Sequence, residues 1–547
     1  MRTSTETNFD YVVVGAGSAG CVLANRLAED GTSNIIVIEA GPADRNIFVH
    51  IPAGYVKNLL NPKLTWGFVS EPVPEAGKRR IALPQGRMLG GSSCLNGMIY
   101  NRGQRDDYDG WAQKGSPGWS YDDVLPYFRR SERRAGGDED YRGRDGPLTV
   151  TDPIVDHPLC QEFVEAANAL GIPEIEDYNG ATQDGVGRFQ FTIDTSIPAL
   201  RKSAARAFLH PAVKTGRVSV RTESYVDRIL FDGPKVVGVR YREAGTDQPI
   251  DVYARREVLV SAGALNTPRL LQISGIGDPK HLSGIGVPVV APLRGVGANL
   301  IDHYGVRTAA QVKSVPTINE RARGLPLAWE IAKWTVGASS ILGIGPSLMR
   351  MFVRTEPHLE NPNLQMWFTP ASYTEGIPGF LDHYPGMTCG GWKQRPESRG
   401  WVRAKSTDIR VPPEIQLNYL STGSDRRDTV FLIKMARTIL NSPSLAPYFV
   451  RETLPGPDIR SDDEVLDFAR QFGGTSYHHA ATAKMGPSYD ATAVVDERLR
   501  VHGLSRLRVI DASIMPSITS SNTNAPTIMI AEKAADMILA DARRGYT

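Results

Sequence analysis

The chain has 547 residues, of which 41% are hydrophobic and 22% charged, a composition typical of a soluble globular protein with a large core. At about 150 residues for each domain, this length predicts three or four domain-sized units or two large ones. The net charge of +2, without a basic run that contains aromatic residues, argues against nucleic acid as a partner.

The cysteine pattern and the N-terminus indicate a reducing compartment. The four cysteines are far apart and form neither a C-x-x-C pair nor a Cys/His cluster, so we expect no disulfide framework and no metal site. The first residues lack the apolar core of a secretion signal, and no stretch is long and apolar enough to span a bilayer. The sequence therefore predicts a cytoplasmic protein.

The chain opens with a nucleotide-binding pattern. Residues 9–14 predict a buried strand, which is followed by a glycine-rich turn and a helical run. Gly15 permits the tight turn, Gly17 lets the backbone approach a pyrophosphate, and Gly20 lets the helix and strand pack closely. A second predicted strand ends at Glu39, which is placed to accept hydrogen bonds from an adenosine ribose. This order of elements predicts a site for an ADP-containing cofactor.

A second glycine-rich segment covers residues 86–98. Its small side chains would let backbone N–H groups approach a pyrophosphate and a ring system, although a tight loop under a helix is the alternative. Further along, residues 218–231, 236–243 and 256–264 alternate as paired strands do. Thr267 and Pro268 predict the start of a short helix with a good N-cap.

The final part of the chain predicts one more strand and a closing helix. Residues 507–510 form a buried strand that ends at Asp511, and the helix is expected from Pro526 to Ala540. Two intervening regions differ in composition from the rest of the chain, because they contain most of the tryptophans and many prolines. We therefore predict an α/β protein (α+β overall) with a Rossmann-like cofactor-binding domain and an inserted antiparallel-sheet substrate domain. The cofactor-binding domain comprises residues 1–153, 210–300 and 472–547, and the substrate domain comprises residues 154–209 and 301–471.

Four motifs resemble those of the glucose–methanol–choline (GMC) flavin oxidoreductases. Residues 86–103 resemble the first family signature and residues 263–277 the second, while Tyr477-His478 and residues 521–526 resemble the catalytic segments. The resemblance extends over essentially the whole chain and implies bound FAD and oxidation of an alcohol by hydride transfer to the flavin. The sequence is more similar to bacterial choline-dehydrogenase-like members than to fungal secreted oxidases, which favours a dehydrogenase.

The motifs and the resemblance together give a set of expected FAD contacts. The histidine that tethers flavin in some members is replaced here by Leu95, so we expect non-covalent FAD; a thioether to Cys94 is the alternative. The expected contacts are Gly15, Gly17, Ser18, Gly20, Glu39, Ala40, Arg87, Gly90, Gly91, Ser92, Asn96, Gly97, Met98, Ile99, Val226, Ala262, Asp511, Ala512, Asn522 and Thr523.

The resemblance also implies the catalytic residues. His478 would take the hydroxyl proton as the general base, and the Asn522 amide would donate a hydrogen bond to the substrate oxygen. His479 is the competitor for the base, but the family tyrosine precedes His478. Asn524 is a candidate cap of the closing helix.

The sequence is compatible with three functions. The favoured one is an FAD-dependent alcohol dehydrogenase or oxidase, whose electrons pass to O2, a quinone or another acceptor. The alternatives are an FAD-containing lyase of the same fold, which would use His478 for acid–base chemistry without net redox, and a non-catalytic nucleotide-binding protein.

The substrate is expected to be a neutral primary alcohol, oxidised to its aldehyde. Choline-specific members of the family place a carboxylate in a segment that corresponds here to residues 347–349. No acid occurs in residues 336–354, whereas Arg350 and Arg354 do. Trp329, Trp334 and Trp367 are candidates for an aromatic cage that could still hold a cation. The uncharged run 335–348 is either a buried cavity wall or a patch for peripheral contact with the inner membrane.

Overall fold

The computed structural model describes residues 7–153, 155–246, 248–374 and 379–545, and within them two large sheets organise the chain. The first sheet is parallel at its centre and antiparallel at one side. Its strands are, in spatial order, Val218–Arg221, Ile35–Ile38, Asn8–Val14, Pro249–Val260, Lys235–Glu243 and Ser224–Asp232, and Leu507–Val509 also pairs with Pro249–Val260.

The central parallel strands are largely buried, as their continuous apolar sequences require, whereas the edge strand Val218–Arg221 is only partly buried. Every residue of Ile35–Ile38 is buried, because helices lie against this part of the sheet. The helix Ser18–Ala28 follows the first strand directly and packs against the C-terminal helix Asn524–Arg543. The strands therefore end together at Val14, Ile38 and Val260, the edge where open α/β sheets bind their ligands.

The second sheet is antiparallel and forms a wall opposite that edge. Its strands are, in spatial order, Phe449–Leu454, Tyr304–Val312, Gly386–Lys393, Leu364–Thr369, Met349–Val353 and Gly185–Arg188, and Gly474–Thr475 also pairs with Tyr304–Val312. One face packs on the helices Pro158–Ala169 and Gly423–Leu440 through a buried apolar cluster. The opposite face presents Gly305, Trp392 and Trp367 to the interior between the two sheets.

The other elements connect and cover these sheets. The remaining helices are Ile47–His50, Tyr55–Asn58, Arg105–Gln113, Tyr121–Ser131, His210–Lys214, Thr267–Ile273, Pro279–Gly284, Ile318–Arg321, Gly324–Thr335 and Asp462–Phe472, with a π-helical turn at Ala205–Leu209 and 3₁₀ turns at Pro52–Gly54, Gly91–Cys94, Ile341–Gly343 and Ala512–Ile514. Small sheets pair Phe68–Val69 with Ala82–Leu83, Glu132–Arg133 with Leu148–Thr149, Ile193–Asp194 with Leu200–Arg201, and Trp401–Arg403 with Glu414–Gln416.

The predicted fold class is confirmed by this architecture. The strands of the first sheet fall in the three segments expected for the cofactor domain, and those of the second sheet fall in the inserted segments, apart from Gly474–Thr475. The domain bounds themselves stay a prediction, and the boundary residue 154 and both chain ends lie outside the described residues. Within the described residues, no helix has the length and apolarity to cross a membrane.

Two predicted helix caps were wrong, and the prediction for residues 335–348 holds for part of that run. The closing helix begins at Asn524 and continues to Arg543, so Asn524 is its first residue, not its cap, and Asn524 Oδ1 accepts a hydrogen bond from Ser18. The short helix begins at Thr267 as predicted, but its N-cap residue Asn266 forms no side-chain cap hydrogen bond, and the Thr267 hydroxyl donates to Asp511. The run 335–348 is not one patch: residues 335–339 are exposed, whereas residues 340–348 are mostly buried.

Candidate active site

A cavity of about 680 Å³ lies between the two sheets. Its lining comes mainly from the glycine turn after the first strand, the segment 84–99, the first residues of the strand Tyr304–Val312 and the segment 472–479. The volume falls within the roughly 300–1,000 Å³ of small-molecule and cofactor sites. One end is lined mainly by main chain and the other by histidine, asparagine and aromatic side chains.

At the first end, Glu39 fixes the turn that would face a nucleotide. Its carboxylate accepts hydrogen bonds from Ala16 N at 2.8 Å and Gly41 N at 2.9 Å. Burial raises the pKa of Glu39 to about 7, against the opposing effect of these two N–H groups and of Arg87. Gly15 has a φ of +95°, and a Cβ there would lie 2.6 Å from the carbonyl oxygen of Ser261, so only glycine fits.

Asp511 joins three segments at the same end. It accepts hydrogen bonds from Gly263 N at 2.9 Å, Thr267 Oγ1 at 2.6 Å and Ser513 N at 2.8 Å. These bonds hold the ends of the strands Pro249–Val260 and Leu507–Val509 beside the glycine turn. Asp511 and Ala512 therefore lie on the cavity wall, and their contact with FAD stays a prediction.

Most of the predicted cofactor residues line this cavity, and three do not. Gly20 packs under the turn, where a Cβ would lie 1.9 Å from Gly15 O, and Gly90 has a φ of +90° and sits against Cys94. The Arg87 guanidinium donates to the Tyr225 hydroxyl at 2.8 Å. The predicted residues on the wall are Gly15, Gly17, Ser18, Glu39, Ala40, Gly91, Ser92, Asn96, Gly97, Met98, Ile99, Val226, Ala262, Asp511, Ala512, Asn522 and Thr523.

The opposite end brings His478 and Asn522 together. Asn522 Nδ2 lies 3.0 Å from His478 Nε2, and His478 Nδ1 lies 2.9 Å from His303 Nδ1. The backbone N–H of His478 donates to Asp302 at 2.7 Å, and the preceding Tyr477 has a φ of +65°. A positive φ at a tyrosine is a strained conformation, which the surrounding hydrogen bonds must maintain.

The hydrogen bonds of His303 determine which nitrogen of His478 carries the proton. His303 Nε2 lies 2.8 Å from the carbonyl oxygen of Gln394, which can only accept, so His303 Nε2 carries the hydrogen. In neutral His303, Nδ1 is then the acceptor, and His478 Nδ1 must donate to it. His478 Nε2 is left with a lone pair that faces the cavity and the Asn522 amide.

Burial also keeps His478 neutral. Its pKa is lowered well below the ordinary value, first because desolvation disfavours the imidazolium and then because His303 and His479 lie nearby. Burial likewise lowers the pKa of His303. The His478 imidazole is therefore unprotonated at neutral pH.

His479 occupies a different environment from His478. Gln85 Nε2 lies 3.2 Å from His479 Nδ1, and Asp302 Oδ2 lies 3.5 Å from His479 Nε2. Both ring nitrogens thus face other side chains of the protein.

Neither candidate position for a covalent bond to flavin offers a reactive group. The Cys94 thiol is buried, its Sγ donates to Leu89 O, and burial raises its pKa to about 12. The side chain of Leu95 has no nucleophile.

The side chains around His478 and Asn522 differ in part from those expected. Trp367 and Trp392 line the cavity, but Trp329 is 66% exposed and Trp334 donates to Ala199 O. Arg350 and Arg354 point elsewhere, because Arg350 lies over the Tyr178 ring and Arg354 pairs with Asp184. Sequence reasoning missed Arg307, which lines the cavity, and the buried His303 and Gln365, which lie behind His478 and Asn522; the motifs gave no signal for these three residues.

Comparison with known proteins decides the family. The model of the N-terminal part of GMC oxidoreductases matches residues 9–305, and that of the C-terminal part matches residues 396–531. The chain belongs to the GMC oxidoreductase family. It is an FAD-dependent enzyme that oxidises an alcohol and passes the electrons to an acceptor, as the sequence predicted, and nothing found supports the lyase alternative.

Alignments with similar proteins extend over nearly the full length of this GMC oxidoreductase. It is 40% identical to human mitochondrial choline dehydrogenase over 98% of its length and 90% of the relative, and 39% identical to oxygen-dependent choline dehydrogenase from Photobacterium profundum over 97% and 93%. Pyridoxine 4-oxidase from Mesorbium loti superposes with a TM-score of 0.85 at 30% identity, covering 97% of this chain and 99% of the other. Formate oxidase, at 24% identity and a TM-score of 0.91, covers 100% of both chains and shows the same fold.

Proposed function

We propose that His478 is the general base of this oxidoreductase and that Asn522 stabilises the substrate oxygen. The observation that carries the proposal is the assignment of both His478 nitrogens: Nδ1–H donates to His303, and the Nε2 lone pair faces the cavity. The lone pair can accept the hydroxyl proton of an alcohol within hydrogen-bond reach. Asn522 Nδ2 then donates to the oxygen as negative charge develops on it.

The bound FAD would be held at the main-chain end of the cavity. The residues for this are the glycine turn at Gly15, the segment Gly91–Met98 and the Asp511–Ala512 turn, because they offer backbone N–H groups and close approach. When bound, FAD supplies the hydride acceptor for the alcohol carbon. The non-covalent attachment stays a prediction, which the lack of a nucleophile at Leu95 and the buried Cys94 thiol support.

We also propose that the substrate is a neutral primary alcohol and not choline, although the relatives named above are choline dehydrogenases. Among the described residues, the acids that line the cavity are Glu39 and Asp511, and both carboxylates are bonded to main-chain N–H groups at the nucleotide end. On the substrate side the charged residue of the described lining is Arg307. Burying a quaternary ammonium group without a counter-charge is costly.

The test of the substrate compares choline with neohexanol, its uncharged carbon isostere, in steady-state kcat/KM. The two alcohols share their shape, so the ratio isolates the effect of one positive charge. We expect neohexanol to be favoured by about tenfold or more, which corresponds to roughly 1.4 kcal/mol. A clear preference for choline would overturn the neutral-alcohol proposal and leave the His478 assignment untouched. Oxygen, a quinone and an artificial dye are then compared as acceptors with the better alcohol.

A further inference from the structure

The amide of Asn522, which lines the cavity, contacts the amide of Gln365, which is buried behind it and does not reach the cavity. Gln365 lies on the strand Leu364–Thr369 of the second sheet and is fully buried. Its Nε2 lies 3.5 Å from Asn522 Oδ1, and its Oε1 accepts from Asn101 Nδ2 at 3.0 Å. Three amide side chains from distant parts of the chain therefore meet behind the catalytic end.

The direction of these hydrogen bonds is fixed by a backbone group. Asn101 Oδ1 accepts from the N–H of Gly103 at 3.0 Å, and a backbone N–H can only donate. Asn101 must therefore present its NH₂ group to Gln365 Oε1. Gln365 must in turn present its NH₂ group to Asn522 Oδ1, which leaves Asn522 Nδ2 to face His478.

His478 thus lies between two chains of hydrogen bonds. One chain ends at a backbone acceptor and the other at a backbone donor. The carbonyl of Gln394 determines through His303 that His478 Nδ1 donates. The N–H of Gly103 determines the orientation of the amides of Asn101, Gln365 and Asn522 in turn. His478 Nε2 therefore accepts a hydrogen bond from Asn522 Nδ2. The two chains of hydrogen bonds agree on one tautomer and one amide orientation.

We propose that Gln365 is a positioning residue, which holds the Asn522 amide with its NH₂ group toward His478 and the substrate oxygen. This inference rests on the proposed roles of His478 and Asn522. Without the Gln365 donor, the Asn522 amide can rotate by half a turn and present Oδ1 to the cavity. A carbonyl oxygen cannot stabilise developing negative charge, and it favours the imidazolium form of His478 because it can accept from it.

Two variants remove the donor in different ways. Gln365→Met keeps the approximate shape without an amide, and Gln365→Glu keeps an acceptor for Asn101 but offers Asn522 no N–H when ionised. A matched control is Gln272→Met, since Gln272 is also buried and bonds to backbone at Val296, Val402 and Ala404, away from His478. The assay is anaerobic reduction of the bound flavin by benzyl alcohol or neohexanol, whichever reduces the wild-type enzyme faster, at a series of pH values.

We expect both Gln365 variants to keep FAD and to reduce it about tenfold more slowly at saturating alcohol. The rate constant for flavin reduction divided by the Kd of the alcohol falls at low pH, and this acid limb should move to higher pH by about half a unit to one unit, because the rotated amide stabilises protonated His478. The charged and titratable groups around His478, namely His303, His479 and Asp302, are unchanged in Gln365→Met. Gln272→Met should show wild-type rates and an unmoved limb.

Several results would overturn the inference. The inference is wrong if the Gln365 variants reduce flavin at the wild-type rate and the acid limb stays at the wild-type pH. It is also wrong if they lose rate equally at every pH, because a merely structural defect acts in that way. Loss of FAD in both Gln365 variants would make the residue structural. The parallel variant His478→Ala separates the two proposals: if it stays active, the proposed base is wrong, whereas an inactive His478→Ala beside unaltered Gln365 variants refutes only the role of Gln365.

Discussion

The two ends of the cavity are built in different ways. At the nucleotide end, the wall consists of glycines and main-chain N–H groups from a few local motifs, such as the turn Gly15–Gly20 that follows the first strand. At the catalytic end, side chains from four distant segments meet, namely His303, Gln365, His478 and Asn522. The first end needs room for the backbone, while the second needs hydrogen bonds of the right direction. Substitutions should therefore cause different failures at the two ends.

The largest effect is expected where backbone space is removed. In Gly20→Val, the added Cβ would lie 1.9 Å from the carbonyl oxygen of Gly15, and neither backbone can move without opening the turn. We expect complete loss of bound FAD and of activity, measured as flavin absorbance per polypeptide. The matched control is Gly284→Ala, where no atom lies within 4 Å of the added Cβ. A Gly20→Val protein with a full complement of FAD would show that this packing is not required.

A smaller effect is expected at Asn522, where only a hydrogen bond is removed. Asn522→Ala should retain FAD and reduce it about 10²-fold more slowly, since one donor to a developing oxyanion is worth this order of magnitude. Single-turnover reduction without oxygen, with flavin content and Tm measured alongside, checks the result. Wild-type reduction rates in this variant would remove Asn522 from the catalytic end.

The smallest effect concerns pH. Because burial lowers the pKa of His478, the base stays unprotonated as the pH falls through 6.5, the ordinary value for histidine. We expect kcat/KM to be constant through that pH and to fall only below it. The same shift destabilises the fold at low pH, since the unfolded chain binds the proton first, so flavin content must be followed with the rate. An acid limb centred at or above the ordinary value would contradict the assigned state of His478.

The nucleotide end could be predicted from the sequence because its determinants are local. The order of strand, Gly15, Gly17, Gly20 and helix specifies the turn without knowledge of the rest of the chain, and Glu39 follows on the next strand. The fold class followed in the same way, from alternating elements and a region of different composition. Helix ends were less predictable, since Asn524 is the first residue of the closing helix and accepts a hydrogen bond from Ser18 instead of capping the helix.

The catalytic end was only half predictable. Motif resemblance placed His478 and Asn522, but it said nothing of His303 or Gln365, whose roles depend on strand register and on the direction of hydrogen bonds. The tryptophans show the same limit. All three candidates for a cage lie in the inserted domain, yet Trp367 alone of them lines the cavity, because its strand places it opposite Gly390, where a side chain would clash with the ring.

The most direct test of the account compares His478→Ala with His479→Ala in anaerobic reduction of the bound flavin. The nitrogens of His478 face His303 and Asn522 at the cavity, whereas those of His479 face Gln85 and Asp302. The account predicts that His478→Ala keeps FAD and loses about 10²-fold or more in the rate of reduction, the usual contribution of a general base, while His479→Ala stays within about tenfold of the wild-type rate. An inactive His479→Ala beside an active His478→Ala would contradict it.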